Sequence, residues 1–139
     1  MALVILIGRI LFASLFIGGG INHFRNAAAM SAYAQSKGVP YARAGVLGSG
    51  LLILVGGLMV LLGLWADLGS LFVVAFLLVT AAMMHNFWKQ TEPMARMNDL
   101  VNFQKNISLA GAGLMLFAFF AYVGDDVGLT LTGPLFHFH

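Results

Sequence analysis

Long apolar runs separated by short polar connections dominate the pattern of residues along this chain. Four runs stand out, at about residues 3–21, 44–64, 67–87 and 101–122. A helix needs about 20 residues to cross the hydrocarbon core of a bilayer, so each run predicts one transmembrane helix. The runs are continuous, whereas a membrane β-barrel requires alternating polar and apolar residues. The sequence therefore predicts an all-α fold, with residues 1–139 forming a single integral membrane domain, a four-helix antiparallel bundle.

The connections between the runs add detail to this picture. Only the residues around Trp65 to Asp67 separate the second and third runs, so these two helices must form a tight hairpin. In the first connection, residues 24–38 contain helix formers that end before Gly38 and Pro40, which predicts a short helix in the membrane interface. Arg9 interrupts the first run and no basic segment precedes it, so we expect a retained span rather than a cleaved signal peptide.

Composition supports a membrane location and excludes several classes of function. Hydrophobic residues make up 60% of the chain and charged residues 9%, whereas about 25% of residues are charged in a soluble domain. The pI of about 9.3 does not indicate nucleic-acid binding, because the seven Lys and Arg residues are scattered. The chain has no cysteine, which excludes thiolate chemistry, disulfide exchange and cysteine-held metal or iron–sulfur sites.

The distribution of charge predicts the orientation of the bundle. Asp67, Asp125 and Asp126 lie on one side of the predicted membrane. Cytoplasmic connections of membrane proteins carry an excess of Lys and Arg, so we expect the long connections in the cytoplasm and both termini outside. The cations of the cytoplasmic side are Arg25, Lys37, Arg43, Lys89, Arg96 and Lys105.

Polar residues gather at the cytoplasmic ends of three predicted helices. His23 ends the first, His85 and Asn86 end the third, and helical spacing puts the polar residues of the fourth on one face. Hydrogen bonds between helices remain an alternative for these residues, as does interfacial anchoring for Trp88. The predicted pocket consists of His23, His85, Asn86, Trp88, Asn102, Lys105 and Asn106.

The chemistry of this pocket suits a quinone better than a metal cofactor. Imidazole and ammonium groups donate hydrogen bonds to quinone carbonyls, asparagines orient the ring, and Trp88 or Phe103 can stack on it. His23 and His85 lie at similar depth, as bis-histidine ligation of haem b requires, but their place at the membrane boundary does not favour haem. No metal site is predicted, since His137 and His139 alone do not make one.

Arg9 is the other unusual residue, because a guanidinium inside a span needs a partner or a path to water. A structural ion pair with Asp67 is the simplest interpretation, and binding of an anionic or carbonyl-bearing ligand is the functional alternative.

The tail, "PLFHFH", is expected to be exposed or to skim the membrane. Recurrent glycines, among them Gly20, Gly50 and Gly111, predict close helix contacts, although glycine is common in membrane helices generally.

Three stretches of the chain resemble the DoxX family of small bacterial membrane proteins. They are "GRILFASLFIGGGINHF" in the first span, "MHNFWK" at the end of the third, and "NDLVNFQKNISLAGAGLML" at the start of the fourth. The four-span layout with a short central turn is similar as well. The resemblance implies a multi-pass protein of the bacterial inner (plasma) membrane.

The resemblance also implies a link to membrane redox systems, of the quinol oxidase or thiosulfate:quinone type. We expect a small accessory or quinone-interacting subunit that does not catalyse a full reaction alone, with a protein partner in a membrane redox complex or as a homo-oligomer. The alternative is a non-catalytic membrane anchor or assembly partner for another complex. A transporter is the weakest hypothesis, since no broken helix is evident.

Overall fold

The computed structural model describes residues 1–138, and His139 of the predicted tail lies outside them. Short 3-10 turns occur at Phe87–Lys89 and Gly124–Val127. No strand occurs within residues 1–138, and four helices are long and apolar enough to cross a membrane. The predicted all-α, four-span architecture is therefore confirmed. The five α-helices are α1 Ala2–Arg25, α2 Ala27–Ser36, α3 Ala42–Leu62, α4 Ala66–Met84 and α5 Pro93–Val123.

Contacts between consecutive spanning helices hold the bundle together: α1 packs on α3, α3 on α4, and α4 on α5. One apolar cluster joins all four, through Phe16, Ile53, Val73 and Ala110 among others. We call the end that carries α2 and the α4–α5 connection the basic end, and the opposite end, where residues 128–138 lie, the tail end. The cations of the basic end are Arg25, Lys37, Arg43, Lys89, Arg96 and Lys105.

Glycines bring helix backbones close together at two of these contacts. A Cβ added to Gly50 of α3 would lie 2.5 Å from the Cβ of His23 on α1, too close for any side chain. Between α3 and α4, a Cβ on Gly56 would lie 2.9 Å from the carbonyl oxygen of Gly69. Other glycines have open space at the Cβ position, as helix faces toward lipid do: Gly18, Gly45, Gly48 and Gly111.

Arg9, which belongs to α1, caps the C-terminal end of the neighbouring helix α3. Its Nε donates to the carbonyl of Val60 at 2.9 Å, and its Nη2 to that of Leu61 at 2.5 Å. Its Nη1 donates to the carbonyl of Leu129 in the tail at 2.8 Å. The last carbonyls of a helix lack intrahelical partners and carry partial negative charge, so a cation is favourable there. Arg9 is only 2% exposed, which means that it does not reach water by snorkelling.

The expected ion pair between Arg9 and Asp67 is not formed within the described residues. Asp67 is fully buried in the first turn of α4, and its Oδ2 accepts the N–H groups of Leu135 and Phe136 at 2.8 and 2.7 Å. Each charge binds unpaired backbone groups instead of the other charge. The tail is therefore docked by its backbone on the end of the bundle, while the side chains of Leu135, Phe136 and Phe138 are exposed, as the sequence predicted for this segment.

The basic end is built differently, from the short helix α2 and the connection between α4 and α5. α2 occupies most of the predicted interfacial segment and packs on α3. α4 ends at Met84, so His85 and Asn86 lie in the connection to α5 and not on the helix itself. This connection then makes a 3-10 turn before α5 begins at Pro93.

Candidate functional site

A cavity of about 780 Å³ lies at the basic end, between α2, α3 and α4. Its lining is mostly apolar and includes Met30 and Tyr33 from α2 and Leu52 from α3. His23, near the end of α1, and His85, just after α4, both belong to the lining. The structure thus brings the two predicted histidines, which are far apart in the sequence, to the wall of one apolar cavity.

The backbone of α3 holds the ring of His23 in place. Nδ1 lies 2.9 Å from the carbonyl oxygen of Val46, and Ser49 Oγ lies 3.2 Å from the same nitrogen. Phe76 of α4 packs edge-on against the ring, with 5.8 Å between the centroids. Within residues 1–138, Nε2 of His23 has no hydrogen-bond partner, so this is the nitrogen left for a ligand.

His85 faces an ion pair that links α2, α5 and the α4–α5 connection. Its Nδ1 is buried and lies 3.6 Å from Oδ1 of Asp99, beyond hydrogen-bond distance. The other carboxylate oxygen, Oδ2, accepts from Lys37 Nζ at 2.6 Å and from Gln90 Nε2 at 2.8 Å. Asp99 is only 6% exposed, and a buried carboxylate needs such a cation and donors to stay ionised.

Two of the other predicted site residues lie in the connection and do not line the cavity. Asn86 is buried and donates to the carbonyl of Met83 at 3.4 Å. Trp88 packs edge-on against Phe87 and Phe103, at 5.2 and 5.8 Å between ring centroids. The aromatic rings that the sequence offered for stacking on a ligand therefore contact each other.

The three predicted residues of α5 do not line the cavity either. Lys105 donates to Oδ1 of Asn102 at 3.1 Å, and Asn102 itself donates to the carbonyl of Asn98. Asn106 is buried within the bundle. For these residues, as for Asn86 and Trp88, a role in ligand binding stays a prediction that the cavity geometry does not favour.

Sequence reasoning missed four residues that shape the site: Tyr33, Ser49 and Phe76, which line the cavity, and Asp99 behind His85. The sequence did contain a signal for the role of Asp99. Only it and Glu92 are acidic between residues 68 and 124, and Lys37 is the cation at the end of the predicted interfacial helix. An isolated acidic side chain in an apolar helix needs a cation or a hydrogen-bond donor as its partner.

Part of the cavity lining is exposed on the lipid-facing surface of the bundle. Val79 and Met83 of α4 are 57% and 38% exposed, and both line the cavity. Gly45 and Gly48 of α3 line it as well, with open space at their Cβ positions. The cavity is therefore open at the outer surface of the bundle, along α3 and α4.

Comparisons with known proteins identify a family but no individual relative. A family model described as DoxX matches residues 4–86, more than half of the chain. The matched segment includes His23 and His85, while α5 lies beyond it. No curated protein and no solved structure matches the chain. Within residues 1–138, no group of three or more His, Asp or Glu side chains is placed to hold a metal ion.

Proposed function

Since the chain belongs to the DoxX family of membrane proteins, we propose that its cavity binds an isoprenoid quinone, in oxidised or reduced form. The protein acts as a small accessory or quinone-interacting subunit of a membrane oxidoreductase system. In this proposal it lies in a bacterial inner membrane with the basic end in the cytoplasm, as the excess of cations at that end favours.

The observation that carries the proposal is the presence of two imidazoles on one apolar cavity that opens to lipid. Pockets for small ligands commonly measure about 300–1,000 Å³ and combine apolar walls with a few polar groups. The cavity volume of about 780 Å³ lies in that range. Its walls suit the ring and part of an isoprenoid tail, and His23 and His85 can hydrogen-bond the two oxygens of the ring.

A protein partner is part of the proposal, because quinone chemistry requires a second redox centre. Within the described residues no group of three or more His, Asp or Glu side chains is placed to hold a metal ion, and the chain has no cysteine to exchange electrons with. The partner supplies or removes electrons, and this chain holds the quinone. If the cavity binds no quinone, the alternative role as a non-catalytic anchor or assembly partner is favoured.

The test measures quinone binding by a variant in which the cavity is filled. In Gly48→Leu, the new side chain extends into the cavity that Gly48 lines, and its Cβ meets no atom within 4 Å, so the fold should persist. Gly111→Leu is the matched control, because its Cβ is equally free and Gly111 does not line the cavity.

Binding is measured by calorimetry in lipid nanodiscs, with a benzoquinone that carries one isoprene unit. We expect Gly48→Leu to weaken binding at least tenfold, about 1.4 kcal/mol, and Gly111→Leu to bind like the wild type. Equal affinities in all three proteins would place the quinone elsewhere, and no binding in any of them would favour the anchor role. A Soret band in the purified protein would instead indicate haem.

A further inference from the structure

The geometry of the two histidines points to a preference for one redox form of the ligand. We propose that the cavity binds the hydroquinone, which has two hydroxyl groups, more tightly than the quinone, which has two carbonyls. The proposal rests on the proposed function, since it concerns the same cavity. It follows from which nitrogen of each imidazole carries the hydrogen.

For His23, the hydrogen is fixed by the backbone. A carbonyl oxygen only accepts hydrogen bonds, so Nδ1, at 2.9 Å from the carbonyl oxygen of Val46, must be the protonated nitrogen. Ser49 Oγ also bonds the Val46 carbonyl, at 3.2 Å, and so uses its hydrogen there. In the neutral ring Nε2 then carries a lone pair and presents an acceptor to the cavity.

For His85, the same tautomer is set by a carboxylate. Oδ1 of Asp99 is the polar atom that faces the buried Nδ1, at 3.6 Å. Lys37 and Gln90 both donate to Oδ2, so Asp99 remains an anion and its Oδ1 keeps its lone pairs on the side of His85. A hydrogen on Nδ1 is attracted to that oxygen, and a lone pair on Nδ1 would be repelled. Nε2 of His85 is thus a second acceptor.

Two acceptors on one cavity distinguish the redox forms of the ligand. Each hydroxyl of a hydroquinone donates to one Nε2, whereas each carbonyl of a quinone brings its lone pairs against a nitrogen lone pair. Leaving buried polar atoms unpaired is unfavourable. The hydroxyl groups of Tyr33, Ser49 and Thr80 also line the cavity, but a hydroxyl both donates and accepts, so they do not reverse the preference.

The first measurement compares the two redox forms on the wild-type protein. Calorimetry in nanodiscs at pH 8, under argon, uses the one-isoprene benzoquinone and its hydroquinone. We expect the hydroquinone to bind at least tenfold more tightly. Equal affinities, or tighter binding of the quinone, would overturn this inference and leave the proposed function intact, while failure of both forms to bind would overturn the proposed function.

The second measurement reverses one tautomer by a substitution outside the cavity lining. In Asp99→Asn, the donors Lys37 and Gln90 hold the amide oxygen at the former Oδ2 position. The amide NH₂ then occupies the Oδ1 position and donates toward Nδ1 of His85. The hydrogen of the imidazole moves to Nε2, which becomes a donor to the ligand.

We expect Asp99→Asn to weaken hydroquinone binding and to strengthen quinone binding, each several-fold. A merely structural role of Asp99 would weaken both forms, which would contradict the inference. Asp126→Asn, the same acid-to-amide change at an exposed residue far from the cavity, is the control and should bind both forms like the wild type.

Nitrogen NMR of histidine-labelled protein reads the tautomers without any ligand. We expect hydrogen on Nδ1 in both His23 and His85 of the wild type, with only His85 changed in Asp99→Asn. Assignment of the two signals uses His23→Gln and His85→Gln. Hydrogen on Nε2 of both rings in the wild type, or imidazolium signals at pH 8, would overturn the inference directly.

Discussion

The two ends of the bundle differ in what their polar side chains contact: backbone groups at the tail end, and a cavity at the basic end. At the tail end, Arg9 donates to three backbone carbonyls, and Oδ2 of Asp67 accepts two backbone N–H groups, while its buried Oδ1 has no hydrogen-bond partner among the described residues. At the basic end, the side chains of His23 and His85 line a cavity, and the buried Nδ1 of His85 has no hydrogen-bond partner.

This contrast shows how a charge inside a membrane helix can be interpreted. A charged residue in a span is a functional candidate by default, and by that rule Arg9 is as good a candidate as His85. The partners decide between them. Arg9 donates to the last carbonyls of α3 and has a structural role. The histidines, in contrast, keep Nε2 atoms as acceptors for a ligand in the cavity.

The largest effect should come from removing the guanidinium at the tail end. In Arg9→Leu, the carbonyls of Val60, Leu61 and Leu129 lose a charged donor. Hydrogen bonds to charged groups contribute about 1.5–3 kcal/mol each, so we expect unfolding to become easier by at least about 3 kcal/mol. Thermal unfolding in detergent measures the loss, with Lys105→Leu as the control for removing a cation from a spanning helix.

Arg9→Leu also tests the contrast between the ends. The fraction that remains folded should bind the hydroquinone with unchanged affinity, because Arg9 is at the opposite end from the cavity. A variant of normal stability that no longer binds the ligand would show that Arg9, and not the basic end, carries the function.

A smaller loss of stability is expected from a substitution where α1 and α3 pack closely. In Gly50→Ala, the new Cβ would lie 2.5 Å from the Cβ of His23, so α1 and α3 must move apart. Overpacking of this kind costs about 1–3 kcal/mol. Because His23 is displaced, ligand binding should weaken along with stability, as calorimetry and thermal unfolding can show.

Gly18→Ala is the matched control, since its Cβ has open space on the partner helix α1 and Gly18 does not line the cavity. It should leave both stability and binding close to those of the wild type. A Gly50→Ala variant that loses stability and binds normally would mean that His23 is not a ligand-binding group.

The smallest effect concerns a cap outside the spans. Glu92 accepts the N–H groups of Met94 and Ala95 at the start of α5. Its hydrogen bond to Met94, followed by that to Ala95, lowers the pKa of Glu92 from its ordinary value of 4.5. The cap therefore contributes fully above pH 4.5 and is lost as the pH falls through the lower folded-state pKa.

Hydrogen exchange at the amides of Met94 and Ala95 measures this cap directly. We expect Glu92→Ala to increase exchange at the first turn of α5 at neutral pH, with little change in the unfolding temperature, because Glu92 is fully exposed. In acid the wild type should approach the variant. A cap that is unchanged by acid would contradict the assignment.

The architecture could be predicted from the sequence because each span is a local feature. About 20 consecutive apolar residues predict a membrane helix without any knowledge of its neighbours. The similar depth of His23 and His85 follows from the same counting. Depth along the membrane normal is therefore well determined by the sequence, and the two histidines do meet on one cavity.

Rotation about each helix axis could not be predicted in this way. Helical spacing correctly puts Asn102 and Lys105 next to each other, but packing decides which stripe of α5 faces inward, and Asn106 belongs to that stripe. In the structure the buried stripe runs through Asp99, Asn106, Gly113 and Phe120 at seven-residue intervals, which leaves Lys105 on a different face. Gly113 sets this rotation, because a Cβ there would lie 2.6 Å from Val74 on α4.

The position of Leu129 has a consequence for how the protein is made. Arg9 and its partner Leu129 are separated by 120 residues, so at synthesis rates of about 5–20 residues per second the guanidinium waits on the order of ten seconds for this carbonyl. The first helix therefore enters the bilayer with its cation incompletely satisfied, and the tail completes that site last. A fusion partner that pulls residues 129–136 away would leave the finished molecule in this incomplete state.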